Sequence, residues 1–140
     1  MGKCYNNIDI AAPIATVWQT MANFHDMSWA EGVITSLVKV GQVSGTELGA
    51  KRMLNDAIHE TLISLDAKAY TFSYSIDDGP GPIAKSAVSD YLGVVKLSAS
   101  STGTLVEWSS SFTSANDREV TEFCDPIYTA LLGALKKSLS

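Results

Sequence analysis

The residues best equipped for chemistry lie in two short stretches, "KRML" and "HETLISLD", and in the tyrosines that follow them. His59 and Glu60 are adjacent bases, either of which can take a proton from carbon beside a carbonyl. Arg52 carries a fixed charge that can hold a carboxylate or steady an enolate oxygen. Tyr74 and Tyr91 can offer a hydroxyl to the same oxygen. Successive strand residues point to opposite faces, so His59 and Glu60 cannot both share a chamber with Arg52. An unpaired guanidinium in an apolar interior is costly. Arg52 is therefore paired with an acid such as Glu60, open to water, or held ready for an anionic ligand.

The elements that must position these groups are strands. In "YTFSYSI", Tyr70, Phe72, Tyr74 and Ile76 alternate with Thr71, Ser73 and Ser75, which gives one aromatic face and one hydroxyl face. Two-residue hairpin loops set a register. A loop at Ala67 and Lys68 places His59 opposite Ile76 and Thr61 opposite Tyr74. A loop at Asp56 and Ala57 places Arg52 opposite Thr61 and turns it inward. A loop at Thr102 and Gly103 pairs Leu97 with Trp108, Val95 with Ser110 and Gly93 with Phe112, leaving room for the Phe112 ring. The resulting wall is apolar and aromatic, with Arg52, His59, Tyr74, Tyr91 and Ser110 as its polar groups. A one-residue bulge would put Glu60 inside instead of His59.

Elsewhere, "CYNNIDI" reads as a first strand. "PIATVWQTMANF" has helical spacing with Pro13 at its start, and "HDMSWAEGV" is a short irregular or helical link. Strands follow in "ITSLVKVGQ", at the end of "GTELGAKRML", and in "YLGVVKLSA" and "TLVEWSSSFT". The period then changes: Val120, Phe123, Cys124, Ile127, Leu131, Leu135 and Leu139 fit steps of three and four, predicting a helix over about 117–139 with a capping box from Asn116 to Glu119. Pro126 either kinks it or opens a second helix capped by Asp125. Strands first and a long helix last indicate an α+β domain with an antiparallel sheet.

Composition narrows the partners. The 140 residues suit one domain, and a net charge of −5 with no basic run argues against nucleic acid and against an anionic membrane surface. Cys4 and Cys124 lack metal-ligand spacing and read as reduced thiols of a cytoplasmic protein. No apolar run is long enough for a membrane span. Phosphate-loop, dinucleotide and paired His or Cys patterns are missing. The prolines of "GPGP" remove the amides a phosphate loop needs.

With these residues in view, the chain resembles the helix-grip fold of the birch-pollen-allergen and lipid-transfer (START-related) superfamily, and more narrowly its polyketide cyclase/dehydrase-type proteins. The matching stretches are "IDIAAPIATVW", Trp29, "GAKR", "HETLISLD", "YSI" before a proline-containing loop, and "GTLVEWSSSF". The resemblance covers nearly the whole chain. It implies a single domain over 1–140, with a curved antiparallel sheet of about seven strands over the long C-terminal helix and two short helices after the first strand. A Glu at position 60 is typical of such proteins. Members range from cyclases to passive carriers.

Two functions follow as expectations. One is binding of a small hydrophobic molecule, acidic or polyketide-like, by Arg52, His59, Tyr74, Tyr91, Trp108, Trp29 and Phe72. The other is cyclase or dehydratase chemistry on a polyketone, with His59, Glu60 or Tyr74 as acid or base and no metal or cofactor. A third reading is an interaction domain that forms a homodimer through strand edges. An empty apolar cavity costs roughly 24 cal/mol per Å³, so a ligand-sized one of about 300 Å³ would cost on the order of 7 kcal/mol. A cavity that large would imply a ligand.

Overall fold

A computed structural model describes all residues, Met1–Ser140. The elements are β1 (Gly2–Ile10), α1 (Ile14–Met21), β2 (Leu37–Val40), β3 (Lys51–Leu54), β4 (Ile58–Asp66), β5 (Thr71–Asp78), β6 (Val88–Ala99), β7 (Thr104–Ser114) and α2 (Asp117–Ser138). The seven strands form one antiparallel sheet in the order β1-β7-β6-β5-β4-β3-β2. This is the helix-grip arrangement that the sequence leads one to expect. The second short helix is a correction. Residues 24–34 make successive hydrogen-bonded turns, with the Ala30 amide bonding to Met27 and those of Val33 and Ile34 to Ala30. The apolar residues there do not repeat long enough to sustain a helix. No helix is long and apolar enough to cross a membrane.

α2 is continuous through Pro126. The amide that proline lacks would have bonded to the Glu122 carbonyl, and both residues lie on the exposed side, where water can serve that carbonyl. Asn116 caps the helix by accepting from the Glu119 amide at 3.1 Å. The buried stripe Val120, Cys124, Tyr128, Leu131 and Leu135 faces the sheet, and the helix runs along β1 and β7. Its hold on the β3–β5 side is therefore looser.

Every predicted hairpin loop is too short. The β3–β4 loop takes Asn55, Asp56 and Ala57, with φ of 54° and 56° at the first two, so Leu54 pairs with Ile58 and Arg52 with Glu60. Asn and Asp tolerate that left-handed backbone. The β4–β5 loop spans 67–70. The Asp66 side chain accepts from the Lys68 and Ala69 amides, and Tyr70 has φ of 53°. Ile63 then bulges out of the ladder, 47% exposed. Beyond the bulge Glu60, not His59, stands opposite Ile76. The β6–β7 loop is likewise longer, so Val95 pairs with Trp108, Leu97 with Val106 and Gly93 with Ser110. That shift is even, and the inward face is unchanged.

Gly93 consequently makes room for a different ring from the one expected. A Cβ there would lie 2.3 Å from the Tyr74 ring, whereas the space for Phe112 is left by Gly2. Gly93→Ala should cost about 1–3 kcal/mol, since Tyr74 is packed on all sides. Gly133→Ala meets nothing within 4 Å on the outer face of α2 and should stabilise by about 0.5–1 kcal/mol. Urea unfolding of the two variants measures both, and equal effects would contradict the packing described.

Candidate functional site

Between α2 and the β3–β6 part of the sheet lies an apolar chamber. Its floor holds Arg52, Glu60, Tyr74, Tyr91 and Trp108, and its roof holds Phe123, Cys124, Ile127, Tyr128 and Leu131 from α2. Met27, Ile34, Leu54, Ile58, Ile76 and Ile83 complete the lining. Of these, Ile34, Ile58, Ile76, Phe123 and Ile127 are half-buried and form the mouth. The remaining space is about 30 Å³. That is room for a water or two, a tenth of the ligand-sized volume considered above. Left empty, it would cost only about 0.7 kcal/mol.

Arg52 is buried, and of the alternatives open to it, pairing is the one realised. Its Nε donates to Glu60 Oε1 at 2.8 Å, and Nη2 lies 2.6 Å from the same oxygen. Nη1 donates to the Phe24 carbonyl at 3.0 Å, and the guanidinium lies 3.7 Å from the Phe24 ring centre. Arg52 and Glu60 are 5% and 6% exposed. Burial pushes the Glu60 carboxyl above its ordinary range, and Arg52 opposes the shift without cancelling it.

A second polar chain runs through the aromatic residues. Trp108 Nε1 donates to the Tyr74 hydroxyl at 2.9 Å, and Tyr74 donates to Tyr128 at 3.2 Å. Tyr91 donates to Cys124 Sγ at 3.4 Å, and the Tyr91 and Tyr128 hydroxyls bond to each other. With the Tyr91 proton committed to sulfur, Tyr128 is the donor in that last pair. Trp108 also stacks on Tyr128, with ring centres 5.4 Å apart. Burial holds Tyr74, Tyr91 and Tyr128 well above ordinary tyrosines and raises the Cys124 thiol to about 11. These hydroxyls are donors, not bases, and Cys124 is not a ready thiolate at neutral pH.

The structure thus brings together Arg52, Glu60, Tyr74, Tyr91 and Trp108. It sends three expected residues elsewhere. His59 is exposed on the convex side, opposite Met53 and beside Asp78, because the bulge at Ile63 reverses the face. Trp29 is buried against Trp108, with centres 6.5 Å apart, but does not line the chamber. Phe72 packs on Trp18 at 6.2 Å, away from the mouth. Tyr128 was missed, although it lies one helical turn after Cys124 on the apolar stripe. No three His, Cys, Asp or Glu side chains converge as a metal site.

Two outcomes are expected. Arg52→Met alone should cost about 3–5 kcal/mol by stranding Glu60, whereas Arg52→Met with Glu60→Leu should recover most of that loss. Denaturant titrations decide it, and additive losses would show that the pair is not a unit. For the tyrosines, a pKa raised in the folded state means stability present below about pH 10, the unfolded value, and lost above it. Absorbance of ionised Tyr74, Tyr91 and Tyr128 should therefore rise only together with unfolding followed by circular dichroism.

The sequence profile of the family described as "Polyketide cyclase / dehydrase and lipid transport" matches residues 1–140. No curated protein matches the chain. Among solved structures, a protein from Nitrosospira multiformis is 37% identical, with a TM-score of 0.94 over 99% of this chain and 96% of the other. The protein XoxI from Bacillus cereus is 25% identical, with a TM-score of 0.80 over 99% and 96%. A Thermobifida fusca protein, 22% identical with a TM-score of 0.83 over 97% and 91%, shares the fold. With the profile matched end to end and the sheet, grip helix and chamber in place, the chain belongs to the polyketide cyclase/dehydrase and lipid transport family.

Proposed function

We propose that this protein binds a small, largely apolar molecule between the sheet and α2, admitted when the isoleucines and Phe123 at the mouth part. The observation that carries this is the lining. Of its sixteen residues, all but Arg52 and Glu60 are hydrophobic, and those two form an ion pair kept inside at a desolvation cost. Apolar walls with a few placed polar groups are the general form of a small-molecule site. The closed chamber is small enough to stand without a ligand, so binding proceeds by displacing side chains.

One observation favours a second reading, the lyase-type chemistry expected above. Glu60 is a carboxylate of raised pKa inside an apolar chamber, a fitting base for a proton beside a carbonyl. On that reading Glu60→Gln, once shown by circular dichroism to be folded, would abolish turnover of a polyketone even at saturating substrate.

The test of binding uses N-phenyl-1-naphthylamine, an uncharged probe that fluoresces in apolar surroundings. The native protein should bind it with saturable enhancement, and at a hundredfold excess over Kd the probe should stabilise the fold by about 2.7 kcal/mol. Ile127→Trp, which plugs the mouth, should abolish the enhancement while the protein stays folded. Binding unaffected by the plug, or absent in the native protein, would remove the proposal.

A further inference from the structure

Resting on the binding reading above, we infer that the ligand's polar head is uncharged and both donates and accepts a hydrogen bond, as a hydroxyl or carboxamide does, and docks on the Arg52–Glu60 pair. The choice lies in which hydrogen-bonding capacity the chamber leaves open. Each tyrosine proton is committed. Tyr74 donates to Tyr128, Tyr128 to Tyr91 and Tyr91 to Cys124, while Trp108 donates to Tyr74. A phenol that gives one hydrogen bond and takes one has little left for a guest.

The ion pair is different. Both Arg52 contacts to Glu60 fall on the same oxygen, Oε1. No hydrogen bond of the structure reaches Oε2, nor is Oε2 among the fully enclosed atoms that lack a partner. It therefore opens on the chamber that Glu60 lines. Three of the guanidinium's five N–H groups are engaged, by Glu60 twice and by Phe24 once. What remains is a carboxylate acceptor beside cationic donors, on side chains more than nine-tenths buried.

Charge then selects the guest. The pair sums to zero, so it offers a docking anion no uncompensated cation, and a carboxylate brought to Arg52 would meet the bare Oε2. An ammonium at Oε2 would meet Arg52, and no other acid lines the chamber. A low-dielectric chamber magnifies both repulsions. A hydroxyl or carboxamide donates to Oε2 and accepts from a free Arg52 N–H, completing both without adding charge. The acidic ligand anticipated for Arg52 from the sequence is thereby disfavoured, because Glu60 already neutralises that residue.

The experiment is displacement of N-phenyl-1-naphthylamine at pH 7.5 by four ten-carbon compounds: decanol, decanamide, decanoate and decylammonium. The alcohol and the amide should bind at least tenfold tighter than either ion. Glu60→Gln leaves Arg52 uncompensated and should shift the ranking at least tenfold toward decanoate. Should that variant not fold, Arg52→Met/Glu60→Leu replaces the pair with apolar groups, and decanamide should then lose at least tenfold relative to the probe. Decanoate matching decanol in the native protein would overturn the head-group inference while leaving the chamber reading intact. So would a ranking that neither variant alters, or a bound probe that none of the four displaces. Failure of the probe itself to bind would overturn the chamber reading, and this inference with it.

Discussion

The Arg52–Glu60 pair is the constraint around which this end of the molecule is arranged. It joins neighbouring residues of β3 and β4, and through the Phe24 carbonyl it fixes the turns that follow α1. The Phe24 ring covers the guanidinium and stands 6.3 Å from Tyr74, so one charged group orders a strand pair, a loop and an aromatic contact. A buried pair of this kind is a weak source of net stability. Its worth lies in directionality. Apolar groups of similar size would fill the space without specifying how the loop at 24 sits on the sheet.

The chamber divides its polar work between two systems with different freedom. The tyrosine chain from Trp108 to Cys124 crosses from sheet to helix and satisfies itself, which stitches α2 to β5, β6 and β7 through hydroxyls as well as packing. The ion pair sits at the other side and is satisfied on one oxygen only. A polar group that a fold has finished using is structural, and one left open toward space is available for recognition. This distinction, and not the mere presence of tyrosines and an arginine, separates scaffold from site here.

How much of this could be read from the sequence depended on the physics involved. The seven strands, the grip helix and the inward direction of Tyr74 and Tyr91 follow from alternation and period, which survive errors of a residue or two in loop length. Arg52 comes out inward only because two one-residue shifts cancel: the β3–β4 loop takes three residues and pairs Arg52 with Glu60 in place of Thr61, and the bulge at Ile63 turns Glu60 inward. His59 against Glu60 does not survive such errors, since a single bulge exchanges the two. The pair Leu62 and Ile63 gives no warning of that bulge, since adjacent residues of a regular strand point to opposite faces in either register, and only the structure shows that Leu62 is the buried one and Ile63 the bulged one. The left-handed backbone at Tyr70 had no signal either, because a bulky aromatic rarely adopts it. Trp29 and Phe72 read as cavity wall because aromatic type does not distinguish a lining ring from a core ring. Only their packing on Trp108 and Trp18 does.

The volume was beyond the sequence altogether, and it bears on how such a fold can carry a guest. A cavity of about 300 Å³ held open and dry would consume stability comparable to a whole domain's, about 5–15 kcal/mol. This chain avoids that cost by closing to about 30 Å³. The closure is asymmetric. α2 is fastened along β1 and β7, while on the β3–β5 side it meets the sheet through half-buried isoleucines and Phe123. Rotamer changes of those side chains break few hydrogen bonds, whereas lifting the helix from β1 would disturb the Asn6 to Asp125 contact at 2.8 Å and the core beneath it. The mouth is therefore the soft edge of the grip, and entry there leaves the fastened edge and the tyrosine chain in place.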